Sequence, residues 1–167
     1  MKLINGFNSQ QYQKSVMSKS YSNILVPYDG SIHSQKALKM AVNMAREFDT
    51  SLYLANVIDV SAVSPPGQIR SKDTRKTLDQ IKSMVKTSVE SYLQKIQKEY
   101  GDSGVTVKGF VLEGDITAKL LKFIEDHNID LVVIGSKGLS GVSKIMTLGS
   151  VSRKISELAK CPVIIVR

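Results

Sequence analysis

A single cysteine, Cys161, stands among the 167 residues of this chain. One thiol can neither form an internal disulfide nor by itself supply a thiolate metal site, so disulfide-stapled and zinc-ribbon architectures are excluded. Tryptophan is absent and aromatic residues make up only 6% of the chain, which leaves no interleaved set of rings on which nucleic-acid bases could stack. Long apolar runs are lacking as well. Leu131 to Ile134 and Val163 to Val166 are among the longest, and both fall far short of the roughly 18 residues that a membrane-spanning helix needs. The N-terminus has lysines but no apolar segment and no small-residue cleavage pattern, unlike a secretory signal. These absences point to a soluble, intracellular and cytoplasmic protein.

What is present is ordinary for a globular domain. The chain is 42% hydrophobic and 23% charged, with 11 Gly and 4 Pro, near the averages of soluble domains. A chain of this length buries roughly 70% of the surface its unfolded form exposes, enough for a core without staples. The net charge of +8 raises polyanion binding as a function class. The excess is segmental: residues 68–98 and 135–167 each carry +5, whereas 99–134 carry −4. A basic patch is necessary for nucleic-acid binding but not sufficient, and no RGG tract or long basic run accompanies it.

Residues 1–22 are rich in Ser, Gln, Asn and Lys without a sustained period, and read as a flexible extension ahead of one domain, 23–167. From Asn23 the character changes. The apolar run Ile24-Leu25-Val26 leads directly into Pro27-Tyr28-Asp29-Gly30-Ser31, a buried strand followed by a turn. Ala37, Leu38, Ala41, Val42, Ala45 and Phe48 then recur at helical spacing, with Ser31 or Ser34 as the cap. Leu52 to Val57 is a second strand, and Ser61 to Gln68 a loop that reads as mobile. A long helix follows, its stripe of Leu78, Ile81, Val85, Val89, Tyr92, Leu93 and Ile96 ending near Gly101. Val105 to Leu112 reads as strand three, and Ile116, Leu120, Phe123 and Ile124 as a third helical face capped by Asp115. Asp130 to Ile134 is strand four. After the Gly-, Ser- and Lys-rich loop from Gly135 to Leu148, Val151, Ile155 and Leu158 mark the last helix and Pro162 to Val166 the fifth strand.

Strands that alternate with helices and are apolar on both faces specify a parallel sheet covered on both sides. The expected fold class is therefore α/β: a doubly wound, Rossmann-like five-stranded sheet of order 3-2-1-4-5. In such a sheet strands one and four adjoin where the winding reverses, and ligands bind outside their carboxyl ends. That crevice would be walled by the Pro27 to Ser31 segment and by Gly135-Ser136-Lys137-Gly138.

Both walls carry candidate chemistry. Gly135, Gly138 and Gly141, with Gly149-Ser150-Val151 opening a helix, would let backbone N–H groups approach an anion beside a helix N-terminus. Lys137, Lys144 and Arg153, and the hydroxyls of Ser136, Ser140, Ser143 and Ser150, could add donors to phosphate oxygens. The competing reading is a Gly/Ser loop with a capped helix. Asp29 could hydrogen-bond a ribose or a base, or its own turn. Asp59, at the same end of strand two, is a weaker candidate.

Taken together, these motifs resemble the universal stress protein family, small α/β domains many of which bind ATP. The resemblance runs from about Asn23 to Arg167. It rests on Val26-Pro27-Tyr28-Asp29-Gly30-Ser31, on Gly135-x2-Gly138 with Gly149-Ser150, and on the ending Cys161-Pro162-Val163-Ile164-Ile165-Val166. The family's nucleotide motif is G-x2-G-x9-G-S/T, whereas ten residues, Leu139 to Leu148, separate the second and third glycines here. By resemblance, Pro27, Asp29 and Val57 would line the adenine and ribose pocket. Gly135, Gly138, Gly149, Ser150 and Val151 would hold ribose and phosphates, with Mg²⁺ or Mn²⁺ as candidate bridging ions. Val57 reads equally well as plain core. The resemblance also implies a homodimer through the strand Val163 to Val166, whose apolar edge otherwise needs a cover such as the N-terminal extension.

Catalysis finds less support. There is no G-x4-G-K-S/T loop and no G-x-S-x-G elbow, and no committed base for hydrolysis. His33 reads as an exposed residue of a first helical turn or a phosphate contact, His127 as a charge beside a helix C-terminus, and Cys161 as a small buried hydrophobe. The leading expectation is a nucleotide-dependent regulatory switch. A dimeric scaffold of the same fold that binds no nucleotide, and a polyanion binder, are the alternatives.

Overall fold

The computed structural model describes residues 21–59, 72–102, 104–139 and 148–167. It is a five-stranded, all-parallel sheet of order β3-β2-β1-β4-β5, as the alternation of apolar runs and helical stripes predicts. The strands are β1 (Asn23–Pro27), β2 (Ser51–Ile58), β3 (Val107–Glu113), β4 (Leu131–Gly135) and β5 (Val163–Val166). The helices are α1 (Ile32–Phe48), α2 (Lys72–Gly101), α3 (Ile116–Asp126) and α4 (Ser150–Leu158).

β1 and β4 lie at the centre, and Ile24, Leu25, Val26, Leu131, Val132 and Val133 are fully buried. A strand covered on both faces has no solvent side, which is why these runs show no alternation. One core forms against α1 and α2 around Ile24, Val26, Leu54 and Val133. The other forms against α3 and α4 around Leu25, Ala55, Phe123 and Ile155.

The ends of the elements are fixed by local chemistry. The Ser31 hydroxyl accepts the Ser34 N–H at 3.2 Å and so caps α1, and Asp115 accepts the Ala118 N–H at 2.8 Å at the start of α3. Each satisfies a donor that the first helical turn leaves unpaired. At the other end of the sheet the Asp130 carboxylate accepts the N–H groups of Ser22 and Asn23 at 2.7 and 3.0 Å, setting where β1 begins.

The long helix departs from the expected stripe. Leu93 and Ile96 are buried, but Ile81, Val85 and Tyr92 are exposed, as is Met84. Thirty residues of helix extend about 45 Å, roughly twice the span of the seven-residue β3. The first half of α2 therefore overhangs the carboxyl end of the sheet and leaves part of its apolar side uncovered. Residues 1–20, the Ser61 to Gln68 loop, Ser140, Gly141, Ser143 and Lys144 lie outside the described residues. No described helix is long and apolar enough to cross a membrane.

Candidate functional site

At the carboxyl ends of β1 and β4 the winding reverses, and the two chains part there because neither crossover helix fills the gap. The result is a crevice of about 480 Å³, within the range of small-molecule sites. Pro27, Asp29 and Val57 form one side of it, and Gly135, Gly138, Gly149, Ser150 and Val151 the other. These eight residues, singled out from the sequence, thus meet around one space, which Ser136 and Arg153 do not line.

Asp29 ties the two sides together. Its Oδ1 accepts the Ser31 N–H and its Oδ2 accepts the Leu139 N–H, both at 3.0 Å. Burial pushes the carboxyl upward, but the hydrogen bonds from Ser31, Ser34 and Leu139 outweigh it and hold the pKa below the usual carboxylate value. Of the two readings of Asp29 that the sequence leaves open, the turn bond is present, and the same carboxylate also spans the crevice mouth.

The glycines serve different purposes. A Cβ on Gly135 would lie 2.6 Å from the His33 carbonyl carbon and 2.8 Å from the Ser34 nitrogen, so α1 packs directly on the β4 backbone. A Cβ on Gly138 would lie 2.8 Å from Asp29 Oδ2. Gly149 is the N-cap of α4 and offers no side-chain cap bond to the first N–H groups of that helix, whose residues Ser150 and Val151 line the crevice. Lys137 lines the same space and supplies a cation beside those donors.

A further pair of backbone groups, the N–H and C=O of Val57, has no partner on β1 among the described residues. Along β2 the Leu52 N–H and the Ile58 carbonyl bond toward β3 while the Ala55 carbonyl accepts the Tyr28 N–H from β1. Alternation turns the Val57 N–H and C=O toward β1. There the Tyr28 carbonyl is occupied by the Asn56 side-chain amide at 2.7 Å, and among the described residues nothing on β1 meets the Val57 peptide. Val85 and Val89, which the sequence places only in a helical stripe, also line the crevice, as does Asn56, which was not singled out. The only available signal was a polar Asn56 in an otherwise apolar strand.

Other candidates fall elsewhere. His33 is neither exposed nor in the crevice: it is half-buried, with Nδ1 3.4 Å from the Ser136 hydroxyl. His127 stacks on Phe123 at 3.8 Å between ring centroids, with Tyr53 and Phe110 edge-on, so aromatic packing, beyond any helix-end charge, places it. Asp59 does not line the crevice. Cys161 is half-buried; burial and the Asp130 charge push its thiol upward, which disfavours the thiolate.

A doubly wound sheet with a glycine-lined crevice at its switch point defines a Rossmann-like class of α/β domain, in which ligands bind at that crevice. The Universal stress protein family model matches residues 20–167, and the chain belongs to that family. It is 34% identical over 148 residues to universal stress protein MJ0531 of Methanocaldococcus jannaschii, covering 88% of this chain and 82% of the relative. It is 33% identical over 150 residues to universal stress protein YxiE of Bacillus subtilis, covering 88% and 99%. Among solved structures, protein MJ0577 superposes with a TM-score of 0.76 at 26% identity, covering 88% and 96%. A universal stress protein in complex with dAMP from Archaeoglobus fulgidus superposes at 0.58 with 21% identity, covering 89% and 99%. Another, in complex with cAMP, does so at 0.61 with 20% identity, covering 89% and 98%.

Proposed function

We propose that the protein binds ATP in this crevice and that occupancy switches its affinity for a partner. The observation that carries the reading is the link from Asp29 to Leu139, which brings a glycine loop and the N-terminus of α4 beside the Val57 peptide, unpartnered on β1 among the described residues. A donor N–H next to an acceptor C=O complements the N1 acceptor and N6 amine of adenine. Glycines without Cβ atoms and unpaired helix N–H groups complement phosphate. Two family members, the cAMP and dAMP complexes, hold adenine nucleotides, which supports the same ligand class here.

Binding rather than turnover is the proposed role. Among the described residues Asp29 is the one carboxylate that lines the crevice, and both its oxygens already accept backbone N–H groups, which suits it poorly to act as a base. Among the described residues no group of three or more His, Cys, Asp or Glu side chains could hold a metal. In this proposal Mg²⁺ or Mn²⁺ would be carried by the phosphates of the nucleotide. The proposal includes a cytoplasmic domain spanning 23–167 behind the 1–22 extension, and a homodimer joined through Val163 to Val166.

The thermal midpoint with and without millimolar ATP and Mg²⁺, with AMP as comparison, tests the nucleotide reading. At 100 times the dissociation constant, binding to the folded state adds about 2.7 kcal/mol, or roughly 5 to 10 °C for a domain of this size. A larger shift with ATP than with AMP is expected. No shift with either, from protein free of retained nucleotide, would favour the dimeric scaffold, with the extra residue between Gly138 and Gly149 as the structural cause.

A further inference from the structure

We infer that the Asn56 side chain ends the β1–β2 ladder and thereby sets which base the crevice accepts. The inference rests on the nucleotide reading above and assigns a positioning residue to it. In a parallel pair the bond from Tyr28 N–H to the Ala55 carbonyl is ordinarily followed by one from the Val57 N–H to the Tyr28 carbonyl. That second rung is missing. The register of β1 on β2 stops at Pro27 and Ala55, although β2 continues to Ile58 alongside β3.

Asn56 occupies the place of the missing rung. Its backbone groups face β3, so its side chain stands on the α2 face of the sheet. From there Nδ2 donates to the Tyr28 carbonyl at 2.7 Å. A carbonyl already holding a short bond is a poorer acceptor for a second donor approaching from the strand. The Val57 N–H is thus kept for a ligand, and its C=O stays beside it as acceptor.

The consequence is a choice between purines. Adenine offers an acceptor at N1 and a donor at the exocyclic amine, which match the Val57 N–H and C=O. Guanine offers a donor at N1 and an acceptor at O6, which leaves both Val57 groups facing their like. A site whose buried polar groups are left unpaired rejects the wrong ligand strongly. Without the Asn56 amide the Val57 N–H would close onto Tyr28, and the crevice would keep its phosphate donors but lose its reading of the base.

Two variants test this: Asn56→Val, which suits a strand but donates nothing, and Asn56→Asp, which keeps the shape but cannot donate. Affinities for ATP, GTP and inorganic tripolyphosphate are measured by calorimetry, and exchange of the Val57 amide by NMR. In both variants ATP affinity should fall about tenfold, the worth of one net hydrogen bond, the preference for ATP over GTP should shrink in proportion, and tripolyphosphate should bind unchanged. Exchange at Val57 should slow in Asn56→Val as the rung closes. An unchanged ATP to GTP ratio, or an equal loss for all three probes, overturns the inference and leaves the nucleotide reading standing. A wild-type protein that binds tripolyphosphate but neither nucleotide, or binds nothing, overturns the reading itself and this inference with it.

Discussion

The Asp29 carboxylate accepts the Leu139 N–H at 3.0 Å across 110 residues of sequence, and a Cβ on the intervening Gly138 would stand 2.8 Å from the same oxygen. The bond exists because residue 138 has no side chain. Gly138→Ala should push Asp29 aside and break the contact at a cost of about 1 kcal/mol, the net worth of one such bond. In an Asp29→Ala background the same change should cost almost nothing. Urea unfolding of the four proteins of this double-mutant cycle would read a coupling of about 1 kcal/mol, and simple additivity would mean that the two sites act independently.

The pH dependence of stability follows from the same carboxylate. Hydrogen bonds from Ser31, Ser34 and Leu139 hold the folded-state pKa of Asp29 below its ordinary value. Their contribution is therefore fully present above the unfolded-state pKa of about 3.9 and is lost as pH falls through the lower folded value. Asn at this position cannot accept both N–H groups, and its pKa-linked contribution is absent. The difference in thermal midpoint between wild type and Asp29→Asn should be constant above about pH 5 and close progressively below about pH 4. A difference that persists unchanged to about pH 2 would mean that charge at Asp29 does not support the fold.

Much of this architecture is legible in the sequence because it rests on local signals. Ile24 to Val26 is apolar without alternation, as a strand covered on both faces must be, and Ser31 and Asp115 sit where helix caps are needed. The meeting of Asp29 with Gly138 follows once the strand order is known. Other features depend on distances between elements, which no local pattern encodes. The stripe on α2 has one period throughout, so nothing in it announces that Ile81 and Val85 run past the end of β3. The close approach of α1 to Gly135 is a matter of inter-element distance, and it carries His33 onto Ser136 instead of into the crevice. Asn56 looks like an isolated polar residue until the unequal lengths of β1 and β2 give it a carbonyl to hold.

The bare cap of α4 sets stability against binding. Gly149 has the extended backbone of an N-cap, φ −69° and ψ 158°, but no side chain to accept a bond, and a Cβ there meets nothing closer than 3.4 Å. Gly149→Ser should fit without strain and place a hydroxyl on the first free N–H groups of the helix. A gain in fold stability of a few tenths of a kcal/mol is expected, seen as a higher thermal midpoint. ATP affinity should fall several-fold at the same time, because the hydroxyl competes for donors that the phosphates would use. A variant that is more stable and binds equally well would remove the α4 N-terminus from the phosphate site.

The edge strand β5 allows the proposed dimer to be tested without disturbing the protomer. The carbonyls of Pro162 and Val166 accept the N–H groups of Val132 on β4 and of Ser136 just past its end, so alternation turns the backbone groups of Ile164 inward and those of Val163 and Ile165 outward. Proline removes a donor and is tolerated in an edge strand when the missing N–H faces solvent. Ile165→Pro should therefore leave the β4–β5 ladder intact while deleting an N–H that pairing with a second copy would need. Sedimentation velocity should report a dimer for wild type and a shift toward monomer for the variant, with circular dichroism unchanged. A variant that stays dimeric would move the interface away from this edge. A wild-type protein that is monomeric at high micromolar concentration would rule out the stable homodimer proposed for it.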